Sequence, residues 1–204
     1  MGSAAAELGA VVEELVREVE SGTSAEIVVV VAGSSSRYTD VLGWAMGVPG
    51  LLATAFFCWS PWIFDDRWIP IDTLAVAGAF GLLFGTSMQT RRRLVGHKEQ
   101  ERRVALAADA AFWQEAVHAT RGRTGILVYV SVLERIVAVR ADMSIASTVP
   151  AGAWNKALAD VQGSYTTKEA FSAGFRRLGA VLAEHLPRTE DDVNESPDAP
   201  RMRP

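Results

Sequence analysis

Two uncharged stretches interrupt an otherwise mixed pattern of apolar and polar positions. Between Asp40 and Asp65 runs VLGWAMGVPGLLATAFFCWSPWIF, 24 residues. As a helix it would reach about 36 Å, more than the roughly 30 Å hydrocarbon core of a bilayer. The second stretch, Thr73 to Thr90, would reach about 27 Å and borrows Ile69 to Asp72 at its outer end. The pattern predicts a transmembrane helical hairpin over residues 38–93, with spans at about 41–62 and 71–90. Core helices of soluble proteins seldom exceed about 14 residues without a charge. Pro49 predicts a kink near Gly47 to Gly50, tolerated because a neighbouring span can help satisfy the backbone.

The flanks set the orientation. The connection SPWIFDDRWIP balances Arg67 against Asp65 and Asp66, whereas the opposite ends carry Arg37 and then Arg91, Arg92, Arg93, Lys98, Arg102 and Arg103. The excess of positive charge places both termini in the cytoplasm. Trp59, Trp62 and Trp68 cluster at the connection and Trp44 lies near the other face, the distribution of indoles at two headgroup layers. Gly43 with Gly47 and Gly81 with Gly85 form two small-residue pairs in one leaflet. They allow close packing within the hairpin, or of one stripe against another copy.

Outside the hairpin the periodicity is that of an α/β protein. Leu8, Val11, Val12, Leu15 and Val19 recur at helical spacing until Ser21-Gly22. AEIVVVVAG follows as a strand, its unbroken run Ile27 to Val31 predicting burial on both faces. Leu94 to Thr120 reads as one long helix with Val104, Ala108, Ala111 and Phe112 inward. Thr124 to Val132 is a second buried strand, Leu133-Glu134-Arg135 a turn, and IVAVRAD a third strand antiparallel to it. Pro150 opens a helix with Trp154, Leu158 and Val161 on one side. Thr166 and Glu169 form a capping box for a last helix striped by Phe171, Phe175, Leu178 and Leu182. Residues 1–37 and 94–187 thus form one domain split by the hairpin. Residues 188–204, acidic and Pro-containing, predict a disordered tail.

Composition narrows the function classes. The chain is 49% hydrophobic with a formal net charge of −4, which points away from a general nucleic-acid binder. Its one cysteine, Cys58, allows no internal disulfide and lies within the first span, so a thiol phosphatase mechanism has no nucleophile. Met1 to Ser21 lacks the charged start and apolar core of a secretory signal. Ala6 stands where a myristoylation motif wants Ser or Thr. No phosphate-binding Gly-rich loop or dinucleotide fingerprint is present, and His97, His118 and His185 are scattered.

SAEIVVVVAG, then RTGILVYVSVLERIVAVRAD, the helix with Trp154, and LAEHLP together resemble the TPM domain, over most of Ala5 to Pro187. The chain is similar to a bacterial membrane branch with hydrophobic spans between the first strand and the next helix. The resemblance implies an α/β sandwich: a small mixed sheet between helices. It implies no single activity, since plant members are described as acid phosphatases and calcium binders and other members as accessory subunits of membrane complexes. Many relatives export the domain, contrary to the orientation argued above. The family has an Asp followed two residues later by Gly; here Asp142 is followed by Ser144.

Glu26, Glu134, Asp142 and Asp160 are candidate oxygen ligands near strand ends or adjacent loops, and of these Asp142, Glu134 and Glu26 are the set that could share a calcium or magnesium ion. Such carboxylates more often solvate a surface or cap a helix, and Glu134 with Arg135 reads equally as an exposed hairpin tip. The expected role is a non-enzymatic accessory or scaffold subunit at the cytoplasmic face of the inner membrane. Its partners would be the bilayer and a membrane protein or second copy. The alternative is a membrane-tethered phosphatase in which Asp142, with Glu134 or Glu26, holds a divalent cation.

Overall fold

The structure, a computed structural model, describes residues 2–60, 65, 67–85, 87–163, 165, 167–189, 197 and 199–203, without the side chains of residues 2–8, 88 and 91. Trp62, Thr166 and the side chains of Leu8 and Arg91, singled out in the sequence, lie outside that description. The chain divides into two compact units, Met1–Ser35 with Glu101–Pro204, and Ser36–Gln100.

The first unit is a mixed α/β domain. Its strands are β1 (Glu26–Ala32), β2 (Gly125–Ser131), β3 (Ile136–Ala141) and β4 (Arg201–Arg203), in the spatial order β3-β2-β1-β4. β1 runs parallel to β2 and β4, and β3 returns antiparallel to β2. The Val-rich runs of β1 and β2 are buried at every position because both faces of the sheet are covered. Ile27, Val29 and Val31, with Val128 and Val130, pack against α1 (Gly2–Glu20), α7 (Ala151–Gln162) and α8 (Lys168–His185). Val28, Val30, Leu127 and Tyr129 pack instead against Val104, Ala108 and Ala111, contributed by the helix His97–Gln114, and against Val117.

Gly125 is where close approach demands glycine, because a Cβ there would collide with the carbonyl oxygen of Val117. At the outer edge of β1 the carboxylate of Glu20, itself only 9% exposed, accepts the Ile27 amide at 2.8 Å and so satisfies an amide that a neighbouring strand would otherwise take.

Three expectations are corrected. The tail is not disordered throughout, since Arg201, Met202 and Arg203 pair with Val30, Val31 and Ala32. Both arginines bind the carboxylate of Glu115. Burial pushes the Glu115 carboxyl up, but the hydrogen bonds from Arg203 and Arg201 and their charges outweigh it and hold the group below the ordinary glutamate range. The long helix from Leu94 is broken: α4 (Met88–Leu94) ends at Val95 and α5 (His97–Gln114) begins two residues later. There the Gln100 side chain donates to the carbonyls of Arg92 at 3.0 Å and Val95 at 2.8 Å, satisfying groups that a helix end leaves open. A short helix unmarked by the sequence pattern, α6 (Met143–Thr148), follows β3. The described cap of α8 is Thr167, whose hydroxyl accepts the Ala170 amide at 3.1 Å.

The second unit holds α2 (Thr39–Trp59), α3 (Ile69–Gly85), α4 and the first residues of α5. α2 continues through Pro49 as one helix. α3 includes Ile69 to Asp72 and ends at Gly85, five residues short of the expected Thr90, with Ser87 extended before α4 begins.

Candidate functional site

α2 and α3 form an antiparallel pair whose seam advances four residues at a time. Leu42 lies opposite Gly85, Met46 opposite Gly81, Gly50 opposite Ala77, and Thr54 opposite Thr73. A Cβ placed on Gly81 would stand 2.7 Å from Met46 Cγ, and one on Gly50 would stand 3.2 Å from the Ala77 Cβ. The Thr54 hydroxyl donates to the Gly50 carbonyl at 2.9 Å, so its 3.2 Å contact with Thr73 is donated by Thr73. Of the four glycines singled out, Gly81 and Gly85 therefore sit in the seam, whereas Gly43 and Gly47 have nothing within 4 Å and do not. They are one residue, about 100°, further round the helix than Leu42 and Met46, which fill the seam. Gly50, missed in the sequence, belongs to it through the i, i+4 series Leu42, Met46, Gly50, Thr54.

The outer faces of both helices are apolar and exposed. Trp44 is 74% accessible, and Leu51, Leu52, Phe56, Leu74, Leu82 and Leu83 are likewise exposed. Only 11% of the most apolar stretch of α2 is buried, the reverse of a soluble core helix. Trp59 closes α2 and Trp68 precedes α3, both exposed at the connecting end, while Trp44 stands one turn inside the opposite end. Arg92 and Arg93 lie on α4, with the Arg92 side chain directed to Gln100 Oε1 at 3.4 Å. By length and composition, α2 is the one described helix that could cross a membrane unaided; α3 is a shorter apolar helix.

In the first unit the three carboxylates do not share one site. Glu26 pairs in register with Gly125, and the Asp142 amide donates to the Gly125 carbonyl at 2.9 Å, so Glu26 and Asp142 flank Gly125 at one end of the sheet. Glu134 lies beyond the other end of β2, and the six steps from Gly125 to Ser131 span roughly 20 Å. Among the described residues no group of three or more His, Cys, Asp or Glu side chains could hold a metal ion.

Each carboxylate has a local structural task. Asp142 caps α6, its Oδ1 accepting the Met143 amide at 2.7 Å, while Oδ2 is buried without a partner among the described residues. Glu134 is 2% exposed, so it is no part of an exposed tip; it accepts the Ser131 hydroxyl and, at 3.3 Å, the Ser35 amide. Ser144, standing where the family pattern has glycine, donates its hydroxyl to the Gly122 carbonyl at 2.7 Å and ties α6 to the preceding loop. His118 packs against Trp113 with the rings tilted by 49° and their centres 4.4 Å apart.

Neither a family model nor a curated protein matches the chain. Among solved structures it is similar to the NMR structure of the BA42 protein from the psychrophilic bacterium Bizionia argentinensis, at 17% identity and a TM-score of 0.57, covering 97% of this chain and 93% of that one. At that identity the likeness is one of fold.

Proposed function

We propose that the chain is a multi-pass inner-membrane protein of TPM-like fold, in which α2 and α3 form a transmembrane hairpin and the α/β domain lies on the cytoplasmic side. Its role is that of a non-enzymatic accessory or scaffold subunit. The observation that carries this reading is the exposure of the most apolar helix, with only 11% of its most apolar stretch buried. A surface rich in exposed Leu, Phe and Trp is stable against lipid and a liability in water. The 21 residues of α2 reach about 32 Å, enough to span. The 17 residues of α3 reach about 26 Å, which a locally thinned bilayer accommodates at modest cost. The basic residues around α4 support cytoplasmic termini, where they meet anionic headgroups. Gly43 and Gly47 leave an open outward strip on α2 suited to a helix of another subunit or a second copy. No nucleic-acid partner is proposed.

The phosphatase alternative places a cation at Asp142, with Glu134 or Glu26 as further ligands, and no group of three or more such ligands occurs among the described residues. Since Glu134 is engaged at the far end of the sheet, that set loses a ligand. The scaffold reading is therefore preferred. Its test joins a topology reporter fused after Pro204 with native crosslinking from membranes. The expected result is a cytoplasmic signal and recovery of partner subunits. An extracytoplasmic signal would overturn the orientation, and recovery of the protein alone in every detergent would overturn the scaffold role.

A further inference from the structure

β4 holds to the edge of β1 by a pattern of charge as well as by its backbone. Its three residues face Val30, Val31 and Ala32 in register, and the Gly33 amide donates to the Arg203 carbonyl at 3.0 Å. Side chains of paired residues share a face of the sheet. Arg201 and Arg203 therefore fall on the face of Val30 and Ala32, the one that α5 covers. Glu115, whose amide closes the last turn of α5 by donating to the Ala111 carbonyl at 2.9 Å, meets both guanidinium groups there. Arg201 also donates to the Glu115 carbonyl at 3.1 Å, at a helix end whose carbonyls favour positive charge. Met202 falls on the opposite face and is 51% exposed.

This edge thus reads an extended segment by two positive side chains at alternate positions and is indifferent to the one between them. Strand addition works in that way, the backbone supplying affinity and alternate side chains the specificity. The present occupant is weakly held. It pairs over three residues and relies on accessible ion pairs, so it belongs with the segments that open first. We propose that this edge of β1, with Glu115, is a docking site for an extended segment of a partner protein bearing Arg at positions i and i+2. β4 is its internal competitor, which leaves before the partner adds parallel to β1. The inference goes beyond the membrane-scaffold reading and does not rest on it, because every residue of the site belongs to the α/β domain.

Photocrosslinking of the full chain in phosphatidylcholine nanodiscs tests it. The probe is a synthetic peptide of residues 199–204, Ala-Pro-Arg-Met-Arg-Pro, with benzoylphenylalanine in place of its methionine. Against the double variant Arg201→Ala with Arg203→Ala, whose own tail can no longer hold Glu115, saturable labelling beside the edge of β1 is expected. The parent should be labelled at the same place at roughly tenfold higher peptide, since its tethered tail competes at high effective concentration. Adding Glu115→Gln to the double variant, or replacing both arginines of the peptide by alanine, should weaken labelling about fivefold. Labelling that does not saturate, that ignores Glu115 and the peptide arginines, or that is as strong on the parent as on the double variant would overturn the proposal. Light scattering in detergent that finds the parent a dimer and the double variant a monomer would give the edge to the tail of a second copy and overturn the partner half of it.

Discussion

Met46 on α2 occupies the space that a side chain on Gly81 of α3 would need, with its Cγ 2.7 Å from the position of a Cβ there. The helices approach closely because α3 offers no side chain at that point. Gly81→Ile should therefore destabilise the pair by about 1–3 kcal/mol, whereas Gly43→Ile, at an open position, should change it by no more than about 0.5 kcal/mol. Thermal unfolding of the full chain in one detergent compares the two. Equal losses would mean that the seam does not run along Leu42, Met46, Gly50 and Thr54.

The hydroxyls of Thr54 and Thr73 supply the polar contact in the same seam. A double-mutant cycle with Thr54→Val and Thr73→Val should give a coupling of about 0.6 kcal/mol, the average for hydrogen bonds between membrane helices. A coupling indistinguishable from zero would remove this bond from the account of hairpin stability.

Glu115 holds both ends of β4 through Arg201 and Arg203. Its carboxyl is held below the ordinary glutamate range in the folded protein, so folding favours the ionised form. The resulting stability is present above the unfolded-state pKa, roughly 4.3, and is lost as pH falls through the lower folded-state value. Hydrogen-exchange protection at Val31, whose strand register faces Met202, taken relative to the intrinsic rate at each pH, should fall at acid pH. Glu115→Gln should lower it already at neutral pH, costing at most about 1 kcal/mol for so accessible a pair. Protection that ignores both changes would show that backbone pairing alone holds β4.

Asp142 is argued to be a helix cap rather than a cation ligand. Asp142→Ala should cost about 1 kcal/mol of stability, and calcium or magnesium should raise the melting temperature of neither the parent nor the variant. A metal-dependent rise in the parent that vanishes in Asp142→Ala would restore the cation reading and, with it, the case for a hydrolytic site.

The two kinds of candidate differ in how much of them a linear chain can encode. An apolar run states its own length and its preference for burial, so the buried strands β1 and β2 and the exposed helix α2 follow from residue type and spacing. The stripe of Phe171, Phe175, Leu178 and Leu182 likewise predicted the buried face of α8. The carboxylates could not be placed that way. Asp142 follows β3 and Glu134 lies in the turn before it, only eight positions apart, yet the antiparallel return sends them to opposite ends of the sheet. Arg135 is exposed in the turn, as its place in the sequence suggested, but its positive φ is not a property of its neighbours in sequence.

By itself, then, the sequence determined the elements of a mixed α/β domain and two strongly apolar helices between its first strand and the rest, because hydrophobic periodicity is local and read within a single element. Only the tertiary structure decided that Gly81 and Gly85 meet α2 while Gly43 and Gly47 face outward, since the same spacing occurs on both helices and the choice depends on which face each turns to the other. It alone decided that Arg201 to Arg203 form a strand: three residues with little to bury are held by backbone pairing to β1 and by Glu115, partners far away in the chain.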